Sequence, residues 1–284
     1  MANEFKEKVV WITGGGSGIG RALAEEFAGQ GATVIVSGRR RQPLEESRDL
    51  IDAAGGRGGV VICDVNKVTD VEGAVEEIVD TYGGLDVVVA NAGFSVSGQI
   101  EEMNAADWRR QFETNVFGLV MTVKYAIPHL RETKGRIALM GSVAGTIGLP
   151  NNGAYSASKF AVRGIGQTLT AELAADKISC TTLLPGFVES DISRVDNQGR
   201  FREDWEDRRN KNFMWPADRA ARVMVRAIEK RRTESVITGH GKVAAFFGCH
   251  APRLTQLVMG RAGQNARPKK SGGEDESGEQ KAAE

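Results

Sequence analysis

The sequence predicts an α/β fold in which helices cover both faces of a parallel sheet. Two observations predict it: short β-branched apolar runs alternate with longer segments of helical period, and the alternation continues along most of the chain. Seven runs are expected to form the strands: Lys8 to Thr13, Thr33 to Ser37, Gly59 to Cys63, Leu85 to Ala90, Arg136 to Gly141, Ile178 to Leu183 and Ser235 to Thr238.

The segment from Val68 to Tyr82 is a clear example of the predicted helices. Val71, Val75, Ile78 and Val79 recur at helical spacing, which places them on one apolar stripe. The two halves of the alternation predict a doubly wound sheet, whose ligand crevice lies beyond the carboxyl ends of the strands where the strand order switches. Functional residues are therefore expected directly after strands.

Composition predicts one domain over residues 1–262. The chain has 284 residues, 41% of them hydrophobic, and no linker-like segment divides them.

Charge and composition also bear on partners and location. The 37 basic side chains balance 37 acidic ones, so no overall electrostatic field favours binding to nucleic acid or to an anionic membrane. The chain shows neither a signal peptide nor a span of membrane length, which predicts a cytoplasmic protein. Three scattered cysteines and three histidines predict reduced thiols and no metal site.

Three later segments depart from the alternation. Residues 187–215 are rich in charge but end on Phe213, Met214 and Trp215, which predicts a mobile lid with an apolar underside. An extension over about residues 241–262 is apolar enough to roof a pocket, join subunits, contact a membrane surface, or pack on its own core with an interruption at Pro252. Residues 263–284 are too polar to offset ordering entropy and are predicted to be a disordered tail.

A glycine-rich turn follows the first strand and opens a helix near Arg21. Its sequence from Thr13 to Gly20 reads TGxxxGIG, with glycines at Gly14, Gly18 and Gly20. Glycine permits positive φ and leaves space for a pyrophosphate, while the free amides of the helix N-terminus favour its charge. The turn predicts a dinucleotide site, although a plain strand-to-helix connection is the alternative.

Arginines predict which dinucleotide binds. The second strand is followed by Arg39, Arg40 and Arg41, with no carboxylate before Glu45. An acidic residue at this place accepts from ribose hydroxyls, whereas arginine suits a 2′-phosphate, so Arg39 and Arg40 favour NADP(H) over NAD(H). The alternative is a basic surface turn. After the third strand, Asp64-Val65 is expected to lie along the adenine, unless Asp64 only caps a helix.

Tyr155 and Lys159 are the candidate proton-transfer pair. Their spacing within a helix from about Ala154 to Asp176 places phenol and ammonium on one face. A nearby cation stabilises phenolate and lowers the pKa of tyrosine, and in the reductive direction the same phenol protonates the product oxygen. Ser142 follows a strand and is expected to hydrogen-bond the substrate oxygen.

Two asparagines complete the candidate site. Asn91, with Ala92 and Gly93, follows the fourth strand. Asn115 lies in an apolar stretch of a helix predicted from about Ala105 to Leu130, where a buried amide needs partners. It either satisfies backbone groups at a helix distortion or holds a water that passes protons to Lys159, and the two roles are compatible.

Together these motifs resemble the short-chain dehydrogenase/reductase superfamily, in a member with a C-terminal extension. The matching residues run in the family's order over about residues 6–240 and include Pro185-Gly186; Ala90 stands where the family often has a second asparagine. The resemblance implies a Rossmann-type, seven-stranded fold, transfer of the pro-S hydride and a homodimer or homotetramer paired through the helices of Asn115 and Tyr155. It also implies that Lys159 holds the nicotinamide ribose and that Pro185, Gly186 and Val188 adjoin the carboxamide.

The expected function is NADPH-dependent reduction of a ketone or aldehyde. A lipophilic substrate is favoured because a set of apolar side chains is expected to line the pocket: Phe94, Val96, Ile147, Phe187, Phe213, Met214 and Trp215. An NAD-dependent secondary-alcohol dehydrogenase and a non-catalytic NADP(H)-binding sensor are the alternatives. The expected catalytic residues are Asn115, Ser142, Tyr155 and Lys159. The expected cofactor-binding residues are Gly14, Ser17, Gly18, Ile19, Gly20, Arg39, Arg40, Asp64, Val65, Asn91, Ala92, Gly93, Tyr155, Lys159, Pro185, Gly186 and Val188.

Overall fold

The computed structural model describes residues 4–205, 207, 209 and 211–266. Its strands form one parallel sheet in the order β3-β2-β1-β4-β5-β6-β7. The strands are β1 (Val9–Thr13), β2 (Thr33–Gly38), β3 (Arg57–Ile62), β4 (Val87–Ala90), β5 (Arg136–Met140), β6 (Ser179–Leu184) and β7 (Glu234–Val236). The predicted doubly wound, seven-stranded sheet is confirmed, with strand ends shifted by one or two residues at most positions.

Helices connect the strands and cover the sheet. They are α1 (Gly18–Ala28), α2 (Arg41–Ala53), α3 (Val68–Tyr82), α4 (Ala105–Phe112), α5 (Leu119–Thr133), α6 (Gly153–Glu172), α7 (Ala217–Glu229), α8 (Gly239–His250) and α9 (Pro252–Ala266). The predicted helix from Val68 to Tyr82 is confirmed at both ends.

Both faces of the sheet are buried, which explains why its strands are almost continuously apolar. On one face, Val10 and Ile12 of β1 join a core cluster with Phe27 of α1 and Met224 of α7. The intervening Trp11 points to the opposite cluster, which α3, α5 and α6 cover. Successive side chains of β1 therefore pack alternately into the apolar cores on the two faces of the sheet.

The strand order reverses between β1 and β4, because the chain moves outward from β1 through β2 and β3 and then returns to the other side of β1. Connections leaving the carboxyl ends of β1 and β4 therefore diverge and leave a crevice between them. The residues that follow these two strands are the predicted glycine-rich turn and Asn91.

The structure differs from the predicted helices at three places. The helix predicted from Ala105 to Leu130 is helical throughout and continues to Thr133, but a π-helical segment, Glu113–Gly118, lies between α4 and α5. Helix α6 ends at Glu172, earlier than predicted. Helix α9 starts at Pro252, where an interruption was expected, and continues to Ala266; the rest of the predicted tail, residues 267–284, lies outside the described residues.

Candidate active site

The glycine-rich turn between β1 and α1 has the backbone conformation that only glycine adopts readily. Gly14 and Gly18 have φ angles of +66° and +52°. A Cβ on Gly20 would lie 2.6 Å from Asn91 Nδ2 and would also overlap the carbonyl oxygen of Gly14. The close approach of backbone to backbone requires glycine here. The turn leaves the amides at the start of α1 open to the crevice, a cradle that fits a dinucleotide pyrophosphate.

Asn91 ties the end of β4 to the end of β1. Its Nδ2 donates to the carbonyl oxygens of Thr13 (2.9 Å) and Gly14 (3.2 Å). The Thr13 hydroxyl accepts from the backbone N–H groups of Asn91 (3.0 Å) and Ala92 (3.1 Å). Asn91 therefore fixes the shape of the glycine-rich turn rather than pointing a free amide at the ligand.

One crevice of about 670 Å³ brings most of the predicted site residues together. Its lining includes Gly14, Ser17, Gly18, Ile19, Gly20, Arg39, Arg40, Asp64, Val65, Asn91, Ala92, Gly93, Tyr155, Lys159 and Pro185. The predicted residues Asn115, Ser142, Gly186 and Val188 are outside this lining, and Asn115 and Val188 are almost completely buried. The crevice runs from the arginines after β2 to the tyrosine of α6.

Lid residues close over the arginine end of the crevice. Arg39 Nη2 donates to the carbonyl oxygen of Gly199 at 3.1 Å, and the Arg40 guanidinium lies 5.1 Å from the centre of the Phe201 ring. Arg194 approaches the same ring at 4.7 Å. In this conformation both predicted selector arginines face the lid, a contact that no sequence pattern indicates because it joins segments 160 residues apart.

Asp64 is not the cap of α3, because Lys67 occupies that position. Its carboxylate accepts from the backbone N–H of Asn66 at 3.1 Å, within its own turn. The other carboxylate oxygen has no hydrogen bond to any described residue. Asp64 and Val65 both line the crevice, in the place predicted for an adenine.

Tyr155 and Lys159 lie together at the other end of the crevice, where Lys159 is buried and Tyr155 is partly buried. Burial raises the pKa of Tyr155, while a hydrogen bond with Ser142 and the positive charge of Arg209 lower it. Burial also lowers the pKa of Lys159 to about 8. Its Nζ lies 5.7 Å from the centre of the Tyr155 ring and donates to the carbonyl oxygen of Met140 at 2.7 Å. The arrangement can therefore transfer a proton, and its phenol stays protonated at neutral pH.

Asn115 lies in the π-helical segment and binds backbone groups of the loop after β4. Its Oδ1 accepts from Phe94 N–H at 3.1 Å, and its Nδ2 donates to Phe94 O at 3.0 Å and to Ser158 Oγ at 3.3 Å. The backbone role at a helix distortion is the one the structure displays. Through Ser158, whose hydroxyl donates to Tyr155 O at 2.7 Å, Asn115 also connects the loop to α6.

Gln111 is a positioning residue that the sequence analysis missed. Its Nε2 donates to Phe94 O at 2.9 Å and its Oε1 accepts from Val96 N–H at 2.6 Å. Together with Asn115 it holds the backbone of residues 94–96 in place. The signal was present, because Gln111 is a second amide in the same helix one turn before Asn115.

His240 is the second missed residue and supports the turn after β6. Its Nε2 accepts from Phe187 N–H at 3.0 Å, and its ring stacks on the Phe187 ring at 5.4 Å. Burial lowers the pKa of His240, which favours the neutral form that this acceptor role requires. A Cβ on Gly186 would lie 2.6 Å from the same nitrogen, so the turn needs glycine.

The apolar side chains expected in a substrate pocket take different positions. Phe187 and Phe213 are exposed, and the centres of their rings lie 5.4 Å and 6.1 Å from the centre of the His240 ring. Val96 is fully buried, and Trp215 packs against the core with Arg219 over its ring at 3.9 Å. Trp215 therefore anchors the end of the lid instead of lining a pocket.

Among the described residues, no group of three or more His, Cys, Asp or Glu side chains is arranged to hold a metal ion. Within the same residues, no helix has the length and hydropathy needed to cross a bilayer.

Comparisons with known proteins identify the family of the chain. A profile of the short chain dehydrogenase family matches residues 8–200. The 11-beta-hydroxysteroid dehydrogenase A of Arachis hypogaea is 38% identical over 196 residues, which cover 68% of this chain and 56% of that protein. A hydroxynaphthalene reductase-like protein of Metarhizium majus is 36% identical over 187 residues, or 65% of this chain and 70% of that protein. The chain thus spans little more than half the length of the hydroxysteroid dehydrogenase it matches.

A solved structure has the same fold over nearly the whole chain. It is a short chain dehydrogenase/reductase from Burkholderia phymatum in complex with NAD, with a TM-score of 0.78 and 26% identity, and the match covers 90% of this chain and 96% of that one. The family profile, the sheet order and the crevice agree: the chain belongs to the short-chain dehydrogenase family.

Proposed function

We propose that the chain is an NADPH-dependent oxidoreductase that reduces a ketone or aldehyde to an alcohol. The observation that carries the proposal is that Tyr155, hydrogen-bonded to Ser142, and Lys159 line one end of the crevice. The other end holds Arg39 and Arg40. The glycine cradle lies between the two ends and has room for a pyrophosphate.

Tyr155 is the proposed proton donor. Because burial raises its pKa, the phenol carries its proton at neutral pH and gives it to the carbonyl oxygen as negative charge develops there. The nicotinamide, when bound, supplies the hydride. Ser142 orients the substrate oxygen from its place beside the phenol, and the Lys159 ammonium stabilises the phenolate that remains.

Arg39 and Arg40 support the preference for NADPH. Both line the crevice after β2, and β2 is followed by no carboxylate before Glu45. A planar guanidinium binds a 2′-phosphate through two parallel hydrogen bonds, whereas ribose hydroxyls favour an acidic residue. In the holoenzyme we expect Arg39 to exchange its bond with Gly199 O for one with the phosphate.

Replacing Arg39 by alanine tests the cofactor assignment. We expect Arg39→Ala to raise KM for NADPH by roughly 10- to 100-fold, because the variant loses a charge-assisted hydrogen bond to the 2′-phosphate. KM for NADH should change little. The matched control is Arg41→Ala, since Arg41 is exposed and pairs with Glu45 at 3.6 Å in the first turn of α2. Steady-state kinetics with both cofactors give the answer. An unchanged NADPH preference in Arg39→Ala would remove Arg39 from the site.

The proposed substrate is a lipophilic ring ketone. Phe187 and Phe213 present exposed aromatic surface next to His240, and Phe187 lies two residues after Pro185, which lines the crevice. The names of the relatives, a hydroxysteroid dehydrogenase and a hydroxynaphthalene reductase-like protein, point to the same substrate class. Ketosteroids and naphthalene-derived ketones therefore form the first panel for NADPH oxidation assays.

The NAD bound to the structural neighbour favours a second candidate, NAD-dependent oxidation of a secondary alcohol. Relative kcat/KM values for NADPH and NADH separate the two. A chain that binds NADPH tightly but turns over no carbonyl or alcohol would instead be a sensor.

We further propose a cytoplasmic homodimer or homotetramer. Phe117 lies two residues after Asn115, and Phe160 follows Lys159 on α6. Both side chains are about half exposed, as expected for a subunit interface. Cys63 and Cys180 are buried free thiols, which suits a reducing compartment.

A further inference from the structure

Helix α8 packs on the domain through its smallest residues. Gly241 and Ala245 are its buried positions. A Cβ on Gly248 would lie 2.6 Å from the carbonyl oxygen of Thr146, and one on Gly241 would lie 2.6 Å from Thr238 Oγ1. The helix therefore lies so close to the loop after Ser142 that no large side chain fits beneath it, and its large side chains point outward.

Helix α9, which contacts α8, also exposes apolar side chains. On α8 they recur at helical spacing, and on α9 the same spacing repeats. We call this surface the α8–α9 face: Val243, Phe246, Phe247, Leu254, Leu257 and Val258. All six are 42–58% exposed. An apolar surface of this kind marks a contact with a partner or a membrane.

The charged side chains within α8 and α9 are of one sign. From Gly239 to Lys270 the sequence contains no Asp or Glu but has basic residues at Lys242, Arg253, Arg261, Arg267, Lys269 and Lys270. Over the whole chain the two signs are equal, 37 against 37. Lys242, Arg253 and Arg261 are exposed, and no carboxylate of a described residue lies within salt-bridge distance of them. Lys242, Arg253 and Arg261 thus place positive charge on α8 and α9 of a chain whose basic and acidic side chains are equal in number.

We propose that the α8–α9 face docks on a membrane surface that contains anionic lipid. Aromatic and aliphatic side chains enter the boundary between headgroups and acyl chains, while basic side chains beside them bind the lipid phosphates. The acidic residues from Glu274 to Glu279 oppose this attraction, so the apolar side chains have to contribute part of the affinity.

A second copy of the chain fits this face less well. A two-fold interface places the same patch on both subunits, so the basic residues of one copy would meet those of the other. Anionic lipid neutralises them instead. Docking also places α8 between the bilayer and the buried loop of Thr146 and Ile147, which follows Ser142, so that one helix separates this loop from the lipid.

Vesicle sedimentation of the full-length chain tests the proposal. We expect binding to vesicles of phosphatidylcholine mixed with phosphatidylglycerol, weaker binding to phosphatidylcholine alone, and a decrease with added salt. The triple variant Lys242→Glu, Arg253→Glu, Arg261→Glu should lose roughly 100-fold in partition coefficient, since each basic residue at such a surface contributes about fivefold. Phe246→Ser with Phe247→Ser should lose roughly tenfold or more.

The matched control is Lys6→Glu, Lys67→Glu, Arg232→Glu, which changes the net charge equally at exposed positions on other elements. It should bind the mixed vesicles almost as the wild type does, and NADPH affinity should be unchanged in every variant. Absence of wild-type binding to mixed vesicles, or an equal loss in the control, would overturn the proposal. So would an aromatic double variant that keeps vesicle binding but dissociates an oligomer in sedimentation velocity, because a second copy would then cover the face.

Discussion

Tyr155→Phe is expected to lower kcat for carbonyl reduction by roughly 10²- to 10⁴-fold, the contribution of a positioned proton donor. The phenylalanine ring occupies the same space but has no hydroxyl group, so it has no acidic proton to donate. The fold should be unaffected, because the Ser142 hydroxyl that loses its tyrosine partner still accepts from Ala144 N–H at 3.1 Å. The Kd for NADPH should change little, since the glycine cradle and the arginines are distant from the phenol.

Stopped-flow measurement of NADPH oxidation under single-turnover conditions separates the chemical step from binding. Fluorescence titration gives the cofactor affinity of the same variant. If Tyr155→Phe retained more than a tenth of the wild-type rate, another group would supply the proton, and the role assigned to Tyr155 would be incorrect.

Lys159→Met has the second large effect, and it is expected to act in opposite directions on rate and stability. Turnover should fall roughly 100-fold or more, because the phenolate loses its neighbouring cation. Stability should increase, because burial lowers the pKa of Lys159 from 10.5 to about 8 and thereby makes the charged form unfavourable in the folded state. Methionine fills similar space without this cost.

The stability gain depends on pH. Below pH 8 the wild-type ammonium is charged in both states, so Lys159→Met should raise the free energy of unfolding by about 1–3 kcal/mol after the lost hydrogen bond to Met140 O is subtracted. Between pH 8 and 10.5 the wild type binds fewer protons when folded than when unfolded, so its stability rises with pH and the difference shrinks.

Denaturant unfolding of both proteins at pH 7 and pH 10 measures this difference. The exposed Lys124 of α5 provides the matched control, and Lys124→Met should change neither the turnover rate nor the pH dependence of stability. A Lys159→Met variant less stable than the wild type at pH 7 would show that the ammonium stabilises the fold.

Patterns within single segments predicted the sheet and most of the crevice. The apolar runs have to fill a core on both faces of the sheet, so their positions identified all seven strands of the described sheet. Gly14 and Gly18 could be identified because a positive φ restricts the residue type. The glycine-rich turn, Asn91 and Tyr155 meet in one crevice because each follows, or packs behind, the carboxyl end of a strand.

Contacts between distant segments could not be predicted in this way. Three such contacts depend on the paths of loops, which the periodicity of the sequence does not encode. They are the hydrogen bond from Arg39 to Gly199 O, the contact of Arg40 with the Phe201 ring, and the hydrogen bond from Phe187 N–H to His240. The sequence suggested a helix distortion at Asn115 only as one of two interpretations of a buried amide. It could not decide between them, because the hydrogen bonds of Asn115 depend on the position of the loop that begins at Phe94.

The central claim is that the chain passes a hydride from NADPH to a carbonyl while Tyr155 supplies the proton. Reduction with NADPH deuterated at the pro-S position of the nicotinamide tests it most directly. Mass spectrometry of the alcohol should find the deuterium on the carbinol carbon, and cofactor deuterated at the pro-R position should give unlabelled alcohol. If deuterium from the pro-S position stayed in the oxidised cofactor, hydride transfer from that position would be contradicted. An alcohol without deuterium from either labelled cofactor would contradict hydride transfer from NADPH altogether.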